Sequence, residues 1–428
     1  MPRNRHIQIA HLTRVEGHGN LTAVIRDGRL ETARFDIVEA PRLFEAFLPG
    51  HAYSEVAHMA SRICGICAVS HRCAAVKAVE AAFGVAVNER VDLLRRLAFQ
   101  GEVIGSHVLH LFFLVAPDLF GVPSIFHLLP ESRDTVLRAM RLKDTATRIG
   151  AAVAGRHIHP VGMEAGGFTF APAPESLVDL GRQLETAEDD LQALLPIFQR
   201  HAWPAFENES DYLSLRHPER YAFHEGELFS SREGHLNLAD YREIVREYVV
   251  AGSNAKHALH AGHPFMVGAL ARFNNNCDQL LAPAREAAEA LGLHPPGTNP
   301  FMIPAAQLVE TVHCLAESRR IVDRLLDPST AAQPRQVSVE PRQGQGIGAV
   351  EAPRGTLFHD YDFDGQGICT RANLVIPTAQ NLANLEADMR TYIPRIADTS
   401  EDQMTRRLES LVRAYDPCIS CATHVIVR

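Results

Sequence analysis

Two pairs of cysteines, one near each end of the chain, are the residues best suited to chemistry. Cys64 and Cys67 form one C-x-x-C pair, and Cys418 and Cys421 form the other. This spacing lets both sulfurs of a pair face one ion, and Gly65 permits the tight backbone that such a turn requires. Four thiolates suit zinc, an iron–sulfur cluster or nickel. The sequence therefore predicts that the two ends of the chain meet at a buried metal site.

A structural zinc protein or assembly module is the alternative that the cysteine spacing alone favours. Zinc ribbons usually close short loops, whereas these two pairs lie near opposite ends of 428 residues. The residues that flank the cysteines are also more specific than a zinc ribbon requires. Both features argue against a structural zinc site, which nevertheless stays an open alternative.

The flanking residues resemble the two signature motifs of nickel–iron hydrogenase large subunits. Residues 62–71 read Arg-x-Cys-Gly-x-Cys-x-x-x-His, and residues 416–424 read Asp-Pro-Cys-x-x-Cys-x-x-His. Three further segments match in the family's order: Arg-Val-Glu-Gly-His at 14–18, Ala-Pro-Arg-Gly at 352–355 and Ile-Pro-Thr-Ala-Gln-Asn at 376–381. The resemblance covers nearly the whole chain and is strongest to the cytosolic NAD(P)-linked subgroup.

The resemblance implies a nickel ion bound by all four sulfurs. Cys67 and Cys421 would bridge the nickel to an iron that carries one CO and two cyanide ligands. Cys64 and Cys418 would be terminal ligands of the nickel.

A second metal ion of the magnesium type is implied near the C-terminus. Its ligands would be Glu45, the backbone carbonyl of Leu374 and His424. Oxygen ligands and water suit such a hard ion. Removal of residues 425–428 by a maturation endopeptidase would leave His424 as the last residue.

Three residues are expected to handle the proton. The resemblance implies that Cys418 or Arg354 receives it and that Glu16 carries it away, a role suited to a buried carboxyl with a raised pKa. Arg354 would also offset the negative charge of the thiolates and cyanides. Ser106 stands where membrane-bound relatives often have aspartate, which leaves the hydrogen-bond partner of Arg354 open. Without the motifs, a solvated Glu16 and an ordinary ion pair at Arg354 would be the simpler interpretations.

Three more residues are expected to surround the metals. Thr378 would donate its hydroxyl to a cyanide, and Pro353 would form part of an apolar wall around the diatomic ligands. His71, one helical turn after Cys67, would orient a bridging sulfur. A histidine that is merely buried in the core is the equally weighted alternative for His71.

The implied reaction is reversible heterolytic cleavage of H2. The chain has no further cysteine cluster for an electron relay, so the resemblance implies an iron–sulfur small subunit facing residues 159–160 and 166–167. Flavin-containing diaphorase subunits would pass the electrons to NAD(P). A deazaflavin acceptor is one alternative, and a non-catalytic relative such as the quinone-site subunit of respiratory complex I is another. That lineage has lost the four cysteines.

The elements that must position these residues are mostly helical. Asp27-Gly28 predicts a β-hairpin between Leu21–Ile25 and Leu30–Val38. Helical spacing marks eight segments: about Asp92–Val115, Arg133–Ala154, Pro174–Gln199, Tyr241–His260, Cys277–Leu291, Ala305–Leu326, Leu382–Ile393 and Ser400–Ala414. We expect a mainly α fold, a long-helix bundle with small β elements at its periphery, forming one intertwined domain over residues 1–428. The glycine string at 344–348 is predicted to be a loop, because it lacks dinucleotide-loop spacing.

Composition limits the function classes. Hydrophobic residues make up 46% of the chain and charged residues 22%, as in ordinary globular proteins. The formal net charge of −9 and the lack of a basic run argue against nucleic-acid binding. The most apolar stretch, Val108–Ala116, is too short to span a bilayer, and the N-terminus does not resemble a signal peptide. We therefore expect a cytoplasmic protein, unless a partner carries the export signal.

Overall fold

The computed structural model describes residues 4–423, and its long helices form the predicted bundle. The helices are α1 (Phe44–Phe47), α2 (Tyr53–Ala60), α3 (Ala68–Phe83), α4 (Glu89–Val108), α5 (Ala116–Phe120), α6 (Leu129–Ala154), α7 (Pro174–Gln199), α8 (Tyr241–Ile244), α9 (Ala269–Asn276), α10 (Ala282–Ala290), α11 (Ile303–Leu326), α12 (Pro328–Ala331), α13 (Pro377–Ile396), α14 (Glu401–Ala414) and α15 (Ile419–Ala422). Helices α4, α6, α7 and α11 pack against one another. The prediction of a mainly α fold around a long-helix bundle is confirmed.

Five small sheets surround this bundle within the described residues. Their strands are β1 (Asn4–Ile9), β2 (Gly19–Arg26), β3 (Arg29–Ile37), β4 (Met163–Glu164), β5 (Gly167–Phe168), β6 (Asp211–Arg216), β7 (Glu227–Ser230), β8 (Gly234–Leu236), β9 (Arg246–Tyr248), β10 (His257–Leu259), β11 (Phe265–Met266), β12 (Gly344–Ala352), β13 (Gly355–Phe363) and β14 (Cys369–Val375). The predicted hairpin is β2–β3, and Asp27 and Gly28 at its turn both have positive φ, as a type I′ turn requires.

Helix α4 continues without a break beyond its predicted end. A π-helical turn, Leu109–Val115, joins it to α5, and Gly121 ends the run in a left-handed conformation. By length and composition alone the segment Glu89–Phe120 could cross a membrane. The apolar segment is therefore longer than the stretch Val108–Ala116 taken from the sequence. However, 67% of the most apolar part of this segment is buried inside the protein, as expected for a core helix.

The glycine string at residues 344–348 is a strand, so its prediction as a loop was wrong. These residues begin β12, which pairs antiparallel with β13 along its whole length. The glycines at 344, 346 and 348 face the backbone of α3, where added Cβ atoms would lie 2.7, 1.9 and 2.0 Å from the carbonyl oxygens of Ala82, Ala78 and Ala74. Glycine at every second position thus lets the strand lie directly on the helix.

The helix predicted for Tyr241–His260 was also wrong. Only Tyr241–Ile244 is helical, and the rest contains the short strands β9 and β10, which pair antiparallel and are joined by a loop. Gly252, with φ of +90°, turns the chain between them. The predicted helix at Cys277–Leu291 is interrupted after a short 3-10 turn, because Pro283 occupies the first turn of a new helix, α10.

The N- and C-terminal segments meet, as predicted. Glu16 forms a parallel β-bridge with Cys418, and the Ile419 amide donates a hydrogen bond to the Glu16 carbonyl oxygen at 3.0 Å. On the other side, α3 begins immediately after Cys67. The fold therefore brings both cysteine pairs to one place.

Candidate metal centre

The four cysteine sulfurs converge at one buried point. The Sγ atoms of Cys64, Cys67, Cys418 and Cys421 all lie within 4.8 Å of one another. Each residue is at most 5% exposed, and none forms a disulfide. The Sγ atoms of Cys64 and Cys418 are 3.6 Å apart, and those of Cys67 and Cys421 are 3.3 Å apart.

Local backbone geometry turns each pair inward. The amides of Ile66 and Cys67 donate hydrogen bonds to the Cys64 sulfur at 3.2 and 3.1 Å, which fixes the first pair in a tight turn. Cys67 is the N-cap of α3 and Cys418 that of the short helix α15. The Cys418 amide donates to the Thr378 hydroxyl oxygen at 3.0 Å, which anchors the second pair to α13.

Two of the four thiols resist ionisation unless a cation is bound beside them. Burial raises the pKa of the Cys67 and Cys421 thiols, and neighbouring sulfurs reinforce this, so all four cannot ionise together unaided. Bound metal ions would reverse this, because a coordinating thiol is deprotonated outright. Within the described residues, the donor set of this group is four buried sulfurs and includes no carboxylate. Such a set fits soft metals such as nickel or zinc.

Arg354 supplies a permanent positive charge beside the sulfurs. Burial lowers its pKa, but the carboxylate of Asp416, together with the sulfurs of Cys418, Cys67 and Cys64 when they are ionised, raises it by more, so Arg354 stays protonated. Its Nη2 donates to Asp416 Oδ1 at 2.8 Å, its Nε to the Asp416 carbonyl oxygen at 2.8 Å, and its Nη1 to Ser106 Oγ at 3.1 Å. Asp416 is therefore the carboxylate partner of Arg354, which the sequence could not identify because Ser106 replaces the expected aspartate.

Asp416 is a site residue that the sequence reasoning missed. Its φ is +50°, an uncommon conformation for a non-glycine residue, and it is nearly fully buried. Its carboxylate also accepts a hydrogen bond from the Gln307 side chain at 3.1 Å. The signal was present in the Asp-Pro-Cys motif, where an acid two residues before Cys418 could have been matched to Arg354.

Glu16 lies at the edge of the centre and is half-buried rather than fully buried. Its carboxylate accepts hydrogen bonds from the Ser420 amide, at 3.0 Å, and from the Ser420 hydroxyl. Ser420 stands between the two cysteines of the second pair. The carboxylate is therefore connected to the cluster through the chain that carries Cys418 and Cys421.

The other three predicted residues make the following contacts. Thr378 accepts from the Cys418 amide, which leaves its own hydroxyl hydrogen available. Pro353 precedes Arg354 in the two-residue turn between β12 and β13. The His71 Nδ1 pairs with His359 Nε2 at 3.1 Å, and burial lowers the pKa of His71 to about 4, so its ring is neutral.

The second predicted metal site is only partly within the described residues. Glu45 and Leu374 are adjacent, but the contact joins the Leu374 amide to Glu45 Oε1 at 2.8 Å and does not use the Leu374 carbonyl. His424 lies outside the described residues.

Comparison with known proteins agrees with this geometry. Residues 42–136 and 252–424, more than half of the chain, match the family model described as nickel-dependent hydrogenase. The chain is 33% identical over 430 residues to sulfhydrogenase 1 subunit alpha of Pyrococcus furiosus, covering 98% of both proteins. It is 27% identical over 467 residues to the NAD-reducing hydrogenase HoxS subunit beta of Cupriavidus necator, covering 99% of this chain and 95% of that protein.

A solved structure shares the whole architecture. The crystal structure of an NAD+-reducing [NiFe]-hydrogenase in the H2-reduced state superposes with a TM-score of 0.89 at 29% identity, covering 98% of this chain and 99% of that chain. Family match, full-length similarity and the clustered cysteines agree, so the chain belongs to the nickel-dependent hydrogenase family, as the large subunit of a nickel–iron hydrogenase.

Proposed function

We propose that this chain performs the reversible heterolytic cleavage of H2 at a thiolate-bridged nickel–iron centre. The observation that carries this proposal is the convergence of four buried sulfurs from both ends of the chain. Cys67 and Cys421 would hold both metals, Cys64 and Cys418 would hold nickel alone, and one CO and two cyanides would complete the iron. The chemistry that the bound metals supply is polarisation of H2.

The side chains of the site would then move the proton. Cys418 would receive it. Arg354, the other predicted acceptor, could do so only after losing a proton of its own, which its ion pair with Asp416 opposes. The hydrogen bonds from Ser420 to Glu16 support a route from Cys418 to the Glu16 carboxylate.

Three neighbouring side chains would shape the metal site. Thr378 would direct its free hydroxyl hydrogen at a cyanide, and Pro353 would exclude water from the diatomic ligands. His71, held by His359, would orient a bridging sulfur.

A Glu16→Gln variant is expected to lose most activity while keeping its metals. The glutamine oxygen can accept from the Ser420 amide and its NH2 group can donate to the Ser420 hydroxyl oxygen, but the side chain cannot carry a proton. A positioned acid or base contributes about 10²–10⁴-fold to rate. H2-dependent dye reduction and nickel content are the measurements. The matched control is Glu39→Gln, because Glu39 contacts the same loop at the His18 amide at 3.3 Å. Equal losses in both variants would remove Glu16 from the proton route.

An Asp416→Asn variant is expected to lower activity by about tenfold or more and to retain nickel. Asparagine tolerates the left-handed backbone at this position. It leaves the Arg354 charge without its buried counter-charge, which is costly. H2/D+ exchange by the purified enzyme measures the effect, and wild-type exchange would refute this role of Asp416. Glu386→Gln, a largely buried carboxyl that contacts Phe35 and Arg390, is the control.

We further propose a magnesium-type ion held by Glu45, the Leu374 carbonyl and His424. A maturation endopeptidase would remove residues 425–428. Mass spectrometry of the active enzyme is expected to give a chain that ends at His424, and an active chain that retains the last four residues would contradict the cleavage.

The electrons would leave through an iron–sulfur small subunit, then through flavin-containing subunits to NAD(P), in the cytoplasm. The NAD-reducing names of two similar proteins support this choice of acceptor. The purified complex should contain nickel, show infrared bands of CO and cyanide, and reduce NAD or NADP with H2. Zinc alone without those bands would restore the structural-zinc alternative, and reduction of a deazaflavin alone would change the acceptor.

A further inference from the structure

A buried arginine outside the motifs holds the turn that presents Arg354. Arg272, on α9, is 0% exposed. Its Nη1 donates to the Ala352 carbonyl oxygen at 2.9 Å, and its Nη2 donates to the Pro353 carbonyl oxygen at 2.9 Å. These are the two residues that immediately precede Arg354, so Arg272 binds the turn at its backbone.

Helix α9 also lies against the turn itself. Gly268, the N-cap of α9, has a φ of +106°, and a Cβ there would lie 2.9 Å from the Arg354 carbonyl oxygen. The Arg272 amide bonds to the Gly268 carbonyl oxygen at 2.8 Å, one helical turn away. The first turn of α9 is therefore in direct contact with the β12–β13 turn from Ala352 to Arg354.

Arg272 is itself fixed by buried carboxylates. Its Nε and Nη2 donate to the two oxygens of Glu310 at 2.6 and 2.7 Å, and its Nη1 lies 3.1 Å from Glu351 Oε2. Both carboxylates are fully buried. A planar guanidinium can serve all these acceptors together, whereas a single ammonium cannot.

The same network reaches the side chain of Arg354 from α4. Ser106 accepts from Arg354 Nη1 at 3.1 Å, and the next residue, His107, is 2.8 Å from Glu310 Oε2 through its Nε2. Glu310 on α11 thus connects the helix that holds the Arg354 backbone with the helix that holds its guanidinium.

We propose that Arg272 is a positioning residue for H2 cleavage, which fixes the Ala352–Arg354 turn so that the Arg354 guanidinium stays beside the cysteine cluster. This inference rests on the proposed function. Arg272 contacts neither substrate nor metal, and it acts through Arg354. A displacement of about 1 Å at a reacting group can cost about 10²-fold in rate.

The test is an Arg272→Lys variant of the complete enzyme complex. Lysine keeps the charge opposite Glu310 and Glu351 but cannot also hold both carbonyl groups. We expect H2/D+ exchange to fall about 10²-fold, with shifted infrared bands of CO and cyanide. Amide hydrogen exchange in a peptide spanning residues 351–357 should become at least about tenfold faster, while a peptide spanning 19–37 keeps its wild-type protection.

Arg95→Lys is the matched control. Arg95 is equally buried and holds Glu80 through two hydrogen bonds, at 2.8 and 2.5 Å, without contacting the Arg354 turn. This variant should keep wild-type H2/D+ exchange and turn protection. If Arg272→Lys does not fold, the double variant Arg272→Gln with Glu310→Gln, which removes both charges together, takes its place with the same expectations.

The remaining outcomes overturn either this inference or the proposed function. Wild-type exchange of H2 and wild-type protection of residues 351–357 in a folded variant would show that the turn does not need Arg272. Failure of both variants to accumulate, while Arg95→Lys accumulates, would assign Arg272 to global folding. A wild-type complex without any H2/D+ exchange would refute the proposed function instead, and the hydrogen-exchange measurement would still judge the turn.

Discussion

Replacing Cys421 with serine is expected to abolish nickel binding and hydrogenase activity. The Cys421 sulfur is central to the cluster, at 2.6 Å from the Cys418 sulfur and 3.3 Å from the Cys67 sulfur. A serine hydroxyl does not ionise to replace a soft thiolate ligand, so the site would lose the donor that both metals share in the proposed ligand set. Activity should fall to the level of metal-free protein, as measured by H2-dependent dye reduction and by nickel analysis.

The control for this variant is Cys277→Ser. Cys277 is a half-buried thiol on a 3-10 turn that takes no part in the cluster. It should retain nickel, the infrared bands and activity, which separates ligand loss from a general effect of removing a thiol. Wild-type nickel content in Cys421→Ser would mean that three sulfurs hold the metal without it, and would refute the proposed ligand set.

The sequence predicted the meeting of the chain ends but not the full helix that begins at the first cysteine pair. The motifs predicted one shared site, and the four sulfurs do converge. Helix α3, which begins after Cys67, was missed because nearly all of its residues are buried. A helix buried on every side has no polar face, and amphipathic periodicity cannot reveal it.

Some charged residues around the site could be predicted from the sequence, and others could be found only in the structure. Arg354 could be proposed because it lies in a motif, and the structure places it beside the cluster. Arg272, Glu310 and His107 lie far apart in sequence and become partners only through the packing of α9, α11 and α4. Spacing along the chain carries no information about such contacts, whereas a buried charge with its partners is evident once the fold is known.

Replacing Gly348 with alanine is the second change with a large expected effect, although it touches no metal ligand. An added Cβ would lie 2.0 Å from the Ala74 carbonyl oxygen and 2.7 Å from the Ala78 amide nitrogen. Both are backbone atoms of α3 and cannot move aside as a side chain can, so β12 and α3 must separate. Such overpacking should destabilise the protein by about 3 kcal/mol, the upper end of the usual cost, because both obstructing atoms are backbone.

Separating β12 from α3 would also displace two residues of the metal centre. Helix α3 carries Cys67 at its N-terminus, and β12 leads into the turn that presents Arg354. Gly348→Ala should therefore lower the thermal midpoint, the yield of soluble protein and the nickel content together. Gly365→Ala is the control, because a Cβ there has no neighbour within 4 Å. If Gly348→Ala matched Gly365→Ala in thermal midpoint and nickel content, the direct packing of β12 on α3 would not be what fixes the positions of Cys67 and Arg354.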